Sequence, residues 1–117
     1  MPFSFHSDTV ANCRVFHFKG SFIDSSDDRQ LVNEFHELLD EGEKSFIFDF
    51  KDLEYINSSG INELVKMVNR VNQSKGNLVF VAVPEKIQEL LKIIKLNSVL
   101  TIRESIDEGV AAIKANE

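Results

Sequence analysis

The chain has 117 residues, 43% of them hydrophobic and 27% charged, which suits one compact domain with a sizeable core. Its net charge of −6 argues against non-specific binding to nucleic acid or to an anionic membrane, because both require a basic surface. The single cysteine, Cys13, cannot form an internal disulfide, and no apolar run approaches the roughly 20 residues of a membrane helix. We therefore expect one cytoplasmic domain spanning residues 1–117, monomeric by default, with no membrane partner and no direct nucleic-acid partner.

A β-hairpin is expected at the start of the chain. The runs "FSFH" from Phe3 and "CRVFHFKG" from Cys13 alternate apolar and polar residues on either side of a turn-like stretch at 8–12. Gly20 is expected to end the second strand, because glycine weakens strand interiors and favours turns.

The first helix is expected to follow this hairpin. Ser25 or Ser26 can cap it, and two aspartates then lie in the first turn, where the helix dipole favours negative charge. Gly42 marks its end. Its apolar face is formed by residues at helical spacing, namely Leu31, Val32, Phe35, Leu38 and Leu39.

Two short and strongly apolar runs, "SFIFDF" from Ser45 and "LVFVAV" from Leu78, predict buried strands. An amphipathic helix is predicted between them, from about Ser59 to about Asn72. The turn that follows contains Gly76, which can adopt the left-handed backbone conformation.

The last third of the chain predicts a helix opened by Pro84, a short strand at "SVLTI" and a final helix capped by Ser105. The element order is therefore β-β-α-β-α-β-α-β-α. This order predicts an α/β fold with a mixed or mostly parallel sheet of about five strands and about four helices. Whether the helices cover one face of the sheet or both stays open.

The stretch "DLEYINSSGINELVKM", residues 52–67, places two serines and a glycine between a strand and a helix. One interpretation is structural: Ser58 or Ser59 caps the helix, and Gly60 allows close packing. The other is functional, because a helix N-terminus presents free N–H groups and a partial positive charge that stabilise a phosphate.

The residues give little support for an enzyme. A nucleophilic serine needs a base and an orienting group, and the sequence shows no G-x-S-x-G turn and no glycine-rich nucleotide loop. The histidines have no recognisable partner in the sequence: His6, His17 and His36. The acidic residues near the central strand have strand spacing and no further ligands, which favours solvated or turn-satisfied carboxylates over a metal site: Asp49, Asp52 and Glu54. We expect no catalytic site, no metal and no cofactor.

The segment "FIFDFKDLEYINSSGINELVKMVNRVNQSKGNLVFVAV" resembles the region around the phosphorylation site of bacterial anti-sigma factor antagonists, which belong to the STAS (sulfate transporter and anti-sigma antagonist) domain family. The stretches "FKGSFID" and "IIKLNSVLTI" extend the resemblance over nearly the whole chain. There are two departures: Asn57 stands where the family usually has Asp, and the "GSFID" turn is one residue longer. The positions that match the family motif are Asp52, Leu53, Ile56, Ser58, Ser59, Gly60 and Ile61.

The resemblance implies a single STAS domain, with a STAS-like mixed central sheet, that acts as an anti-sigma factor antagonist in a partner-switching pathway. In this family the unmodified protein binds an anti-sigma factor that is also a serine kinase, and phosphorylation releases it. A serine phosphatase reverses the modification. By position the acceptor is Ser58, with Ser59 the second choice. The partner-binding residues implied are Asp24, Ser25, Asn57, Ser58, Ser59, Gly60, Ile61 and Asn62.

Two alternatives remain open at this point. The chain could be a STAS scaffold that binds a different partner in a signalling complex and is never phosphorylated, an interpretation favoured by the neutral Asn57. It could also be a small enzyme or ligand-binding domain that uses the same loop.

Overall fold

A computed structural model describes residues 2–23, 25–96 and 100–116, and for residues 25–28 it describes the backbone alone. The helices are α1 (Ser25–Asp40), α2 (Ser58–Gln73), α3 (Glu85–Ile93) and α4 (Ile106–Ala115). The strands are β1 (Ser4–Val10), β2 (Cys13–Phe22), β3 (Ser45–Ile56), β4 (Asn77–Val81) and β5 (Thr101–Arg103). The strand expected at "SVLTI" is confirmed from Thr101 onward, whereas its residues 98–99 lie outside the described part of the chain.

The five strands form one sheet in the order β1-β2-β3-β4-β5. β1 is antiparallel to β2, and each later neighbour is parallel to the strand before it. The sheet is therefore mixed, and the expected α/β fold of five strands and four helices is confirmed. The carboxyl ends of β2, β3 and β4 meet at one edge, which is where sites form in sheets of this kind.

One face of the sheet carries a phenylalanine-rich core. Phe16 and Phe18 of β2 contact Phe48 of β3 edge to face, with ring centroids 5.7 and 5.0 Å apart. Buried side chains of α1, α2 and α3 complete the same cluster, so three helices cover this face. The apolar faces predicted for the first three helices thus all pack on the same side of the sheet.

The opposite face holds a smaller aliphatic cluster beneath α4. It comprises Cys13, Val15, Ile47, Val79, Val81 and Ile113. Gly109 of α4 packs directly on this face, because a Cβ there would lie 2.9 Å from a methyl of Val81. Helices therefore cover both faces, unequally.

Two glycine expectations are wrong. Gly20 does not end β2 but lies inside it, with a φ of +86° beside an irregularity in the β2–β3 register. In the turn after α2, Lys75 adopts the left-handed conformation, with a φ of +60°. Gly76 is required there for another reason, since a Cβ would lie 2.5 Å from the carbonyl oxygen of Lys44.

Two predicted helix boundaries are confirmed, the end of α1 and the start of α4, whereas the capping role expected for Ser25 or Ser26 falls on side chains outside the described part of the structure. Gly42 has a φ of +96° just beyond the end of α1. Ser105 caps α4, and its Oγ accepts a hydrogen bond from the Glu108 N–H at 3.2 Å. Within the described residues, none of the helices has the length and apolarity to cross a membrane.

Candidate functional site

The stretch with the two serines lies where β3 passes into α2, at the carboxyl end of the central strand. Ile56 is buried as the last residue of β3, and α2 begins at Ser58. Ser58 and Ser59 are the first two residues of the helix, and both are exposed. The predicted helix start is confirmed to within one residue, and both hydroxyls are accessible to another protein.

Asn57, not either serine, caps α2. Its Oδ1 accepts a hydrogen bond from the Gly60 N–H at 3.0 Å, the geometry of a helix N-cap. Its Nδ2 donates to the carbonyl oxygen of Ile23 at 3.1 Å, and its backbone N–H donates to that of Phe22 at 3.4 Å. The expectation that a serine caps the helix is therefore wrong, because an amide can satisfy the helix and the end of β2 at once.

This arrangement leaves the serine hydroxyls without a capping role. The structure records no side-chain hydrogen bond for Ser58 or Ser59 within the described residues. The Ile61 N–H is paired with the Asn57 carbonyl, and that of Gly60 with the Asn57 side chain. The N–H groups of the first two helical residues remain as donors for a ligand or for water.

The first turn of α2, which is fully described, contains no acidic residue. The partial positive charge of the helix N-terminus is therefore not offset by a side chain of that turn. A phosphate bound here would supply the missing negative charge.

Gly60 allows this helix end to approach β2 closely. A Cβ at this position would lie 2.6 Å from the Phe22 carbonyl oxygen and 2.8 Å from a side-chain carbon of Ile56. Any other residue would displace α2 from the sheet, so the glycine fixes where the two serines sit. The expectation of close packing at Gly60 is confirmed.

The other residues of the expected interface divide by exposure. Ile61 is 4% exposed and belongs to the core, whereas Asn62 is exposed on the outer side of α2. Asp24 lies outside the described residues, and for Ser25 only the backbone is described, at the start of α1. The bonds from Asn57 to Phe22 and Ile23 show that the end of β2 lies against the serine loop.

Two exposed apolar residues beside the loop were missed from the sequence. Ile23 is 44% exposed and accepts the Asn57 hydrogen bond through its carbonyl. Tyr55 is 56% exposed on β3, opposite Ser21 of β2. Ile23 is joined to the helix start by its bond to Asn57, and Tyr55 precedes Asn57 by two residues in the chain. Large apolar side chains next to a polar loop are the signal that could have identified them.

A second polar cluster lies on the sheet face that α4 covers. His17 Nδ1–H donates to Asp49 Oδ2 at 2.7 Å, and Nε2 lies 3.3 Å from Asp8 Oδ1. His6 stacks on the His17 ring, with centroids 4.6 Å apart. The expectation that the histidines lack a partner is wrong for His17, because the pairing depends on strand register.

This cluster borders a shallow cleft of about 520 Å³ lined by residues of β2, β3 and the start of α4. The serine that lines it, Ser105, uses its hydroxyl to cap α4 and is thus not placed as a nucleophile activated by His17. Among the described residues, no group of three or more His, Cys, Asp or Glu side chains is placed to hold a metal ion.

Comparisons with known proteins agree with this fold. Residues 5–109 match the family model of the STAS domain, which is most of the chain. The chain therefore belongs to the STAS domain family.

Individual relatives carry related names. BtrV of Bordetella bronchiseptica, named as a candidate anti-sigma factor antagonist, is 26% identical over 92 residues, covering 79% of each chain. The structure of TM1081 from Thermotoga maritima, also a candidate anti-sigma factor antagonist, superimposes with a TM-score of 0.83 at 20% identity, covering 94% of each chain.

The anti-sigma factor antagonist SpoIIAA has been solved in unphosphorylated form and, for the Bacillus protein, in phosphorylated form. Both structures superimpose with a TM-score of 0.74 at 13% identity. They cover 93% and 94% of this chain, and this chain covers 96% and 99% of theirs. The likeness establishes a shared fold.

Proposed function

We propose that the chain is an anti-sigma factor antagonist, a binding module of a partner-switching pathway controlled by phosphorylation of Ser58. It binds an anti-sigma factor that is also a serine kinase while Ser58 is unmodified, and phosphorylation releases it. A serine phosphatase restores the binding form. The observation that carries this proposal is the Asn57 cap, which leaves an exposed Ser58 hydroxyl at a helix start with no acidic residue in its first turn.

A phosphate at Ser58 is compatible with the fold. Phosphorylation adds a charge of about −1.5 to −2 and three acceptor oxygens. The dipole of the 16-residue helix α2 and the N–H groups of its first two residues favour that charge. The acceptor side chain is exposed, so the added group displaces no core contact.

The same charge opposes binding of a partner. The proposed interface consists of the exposed polar residues Asn62, Ser58 and Ser59, together with the accessible apolar side chains of Ile23 and Tyr55. Exposed apolar anchors surrounded by polar groups are typical of interface hot spots. A dianion at the centre of such a surface must be desolvated on binding, so the switch acts at the interface without refolding.

Gly60 and Ile61 have an indirect part in this interface. Both are buried, so they hold the start of α2 against β2 rather than present side chains. Asn57, which is half-buried, has the same positioning role through its two side-chain hydrogen bonds. The proposed contribution of Asp24 and Ser25 rests on the sequence alone, since they directly follow Ile23 in the chain.

Intact-mass measurement after incubation with candidate anti-sigma serine kinases and ATP tests the acceptor assignment. We expect the wild type and Ser59→Ala to gain one phosphate, and Ser58→Ala to gain none. Ser59→Ala is the matched control, because it removes the neighbouring exposed hydroxyl of the same turn. Modification of Ser58→Ala together with loss of modification in Ser59→Ala would move the acceptor to Ser59.

The non-phosphorylated scaffold is the second candidate, and the neutral Asn57 favours it. Its Nδ2 donates to the Ile23 carbonyl, a bond that an ionised aspartate cannot make. If a captured kinase partner binds the chain but leaves its mass unchanged, the scaffold function replaces the switch.

A further inference from the structure

β1 forms an edge of the sheet and contains no proline, lysine or β-bulge. It pairs with β2 on one side, and among the described residues no strand pairs with its other side. Natural edge strands are commonly guarded by proline, lysine or a β-bulge. Within Ser4–Val10, every residue of which is described, there is no proline or lysine, and the register to β2 runs without a shift.

The hairpin loop determines which backbone groups of β1 face outward. Ala11 and Asn12 have φ values of +51° and +69°, which is a two-residue turn of type I′. Such a loop closes on a hydrogen-bonded pair, here Val10 and Cys13. Alternate residues of β1 then also bond to β2, so the backbone groups that point away from the sheet are those of Phe5, Ser7 and Thr9.

There is room beside this edge for another strand. A groove of about 470 Å³ borders β1, lined by residues 3–7 and by Gln30 and Glu34 of α1. The side chains of Ser4, His6 and Asp8 are exposed on the other side of the strand. Gln30 and Glu34 of α1 border this groove, and no strand formed by the described residues occupies it.

We propose that β1 pairs with β1 of a second copy of this chain, antiparallel and about a two-fold axis at Ser7. In this register Ser7 lies opposite Ser7 of the second copy, and Phe5 lies opposite Thr9. These are the three residues whose backbone groups point outward, so all three pairs form hydrogen bonds. The two five-stranded sheets then become one continuous ten-stranded sheet.

The side chains favour this register over its neighbours. His6 of each copy lies opposite Asp8 of the other in non-hydrogen-bonded pairs, where side chains approach most closely. A slip by two residues would place His6 opposite His6 or Asp8 opposite Asp8, pairing like groups. A slip by one residue would turn the bonding groups of one strand away from those of the other.

The side-chain pattern also favours a second copy over an unrelated extended segment. The sequence "HSD" of residues 6–8 is self-complementary about its centre when the two strands are antiparallel. Asp8 is already held near the His17 ring at 3.3 Å, and that ring stacks on His6. The side chains that meet the second copy are therefore positioned before pairing.

This inference goes beyond the proposed function and does not depend on it, since β1 contains none of the residues proposed to bind the kinase. The pairing involves one short strand, so we expect a weak dimer rather than an obligate one. The expected monomer would then describe the chain at low concentration.

Sedimentation velocity over a range of protein concentrations up to about 1 mM tests the proposal. We expect reversible dimerisation of the wild type. Ser7→Pro removes the two N–H donors at the axis and should weaken the dimer by at least ~10-fold. Ser7→Ala is the matched control, because it keeps the N–H and should dimerise like the wild type.

Charge variants test the register and do not rely on proline. His6→Asp places two like-charged pairs in the interface and should weaken dimerisation by ~10-fold. Adding Asp8→His to that variant exchanges the two side chains, restores the opposition of His and Asp, and should restore most of the affinity. Circular dichroism of each variant establishes that it is folded. If Ser7→Pro fails to fold, His6→Asp and the double variant with Asp8→His decide whether β1 forms the dimer interface.

A wild type that stays monomeric over the whole concentration range would overturn the proposal. Dimers of folded Ser7→Pro with wild-type affinity would also overturn it, by placing the interface elsewhere. Dimerisation that is weakened equally by His6→Asp and by the swapped double variant would exclude the two-fold register.

Discussion

The N-termini of α2 and α4 contain similar residues in different roles. In α4 a serine, Ser105, caps the helix, and the acidic Asp107 and Glu108 fill the first turn. In α2 the cap is Asn57, the first turn has no acid, and two serines occupy its first two positions with exposed side chains. One helix start is thus already electrostatically complete, whereas the other is left open to an incoming negative charge.

The difference shows that a serine near a helix start is not enough to define a site. Ser105 is engaged by the helix it begins, and a phosphate there would meet two neighbouring carboxylates. Ser58 is free of that duty because Asn57 bonds both to Gly60 and to the end of β2. The proposed switch therefore depends on the residue that precedes the serine.

The largest loss of stability is expected for alanine at Gly60 of α2, with Gly109 of α4 as the comparison. Gly60→Ala forces a methyl group to within 2.6 Å of a backbone oxygen and should lower the free energy of unfolding by about 3 kcal/mol. Gly109→Ala meets mainly a Val81 methyl at 2.9 Å and gains helix propensity, so its net effect should stay within about 1 kcal/mol. Urea unfolding of both variants measures the difference. Equal losses would mean that α2 is not held against β2 as tightly as described.

Replacing the capping residue by alanine should destabilise the fold more at Asn57 than at Ser105, by about the contribution of one hydrogen bond. Asn57→Ala loses the bonds to Gly60 and Ile23 and should cost about 2 kcal/mol of unfolding free energy. Ser105→Ala loses one capping bond and should cost about 1 kcal/mol. Thermal unfolding of both variants provides the comparison, and a smaller loss for Asn57→Ala would contradict its double role.

The smallest effect concerns charge in the first turns. Ser58→Asp adds a carboxylate to a turn without one and should stabilise the fold by about 0.5 kcal/mol at low salt. Glu108→Gln removes a carboxylate from the α4 turn and should destabilise the fold by a similar amount. Both effects should shrink in 1 M salt, because the interaction is screened. A destabilised Ser58→Asp would mean that α2 does not accept the charge.

Much of the fold could be predicted from local pattern. The apolar run "SFIFDF", the amphipathic spacing after Ser59 and the Ser105 cap depend on neighbouring residues, and each lies where the sequence indicated. Gly20 and Gly76 could not be assigned in this way. Gly20 lies within β2 because pairing with β3 continues past it, and Gly76 is set by the distant Lys44 carbonyl.

The site shows the same limit. The loop and its exposed serines could be located from sequence, but asparagine and serine are both good caps, so sequence alone could not choose between Asn57 and Ser58. The carbonyl of Ile23, 34 residues away in the chain, decides the choice by accepting the amide hydrogen bond. The pairing of His17 with Asp49 was missed for the same reason, since it requires the β2–β3 register.

A binding titration measures the proposed switch itself, with the kinase that modifies the chain as the partner and nucleotide omitted. We expect that stoichiometrically Ser58-phosphorylated chain keeps its circular dichroism spectrum but binds that kinase at least ~100-fold more weakly than unmodified chain, a loss of roughly 3 kcal/mol. Equal affinities of the two forms would contradict it.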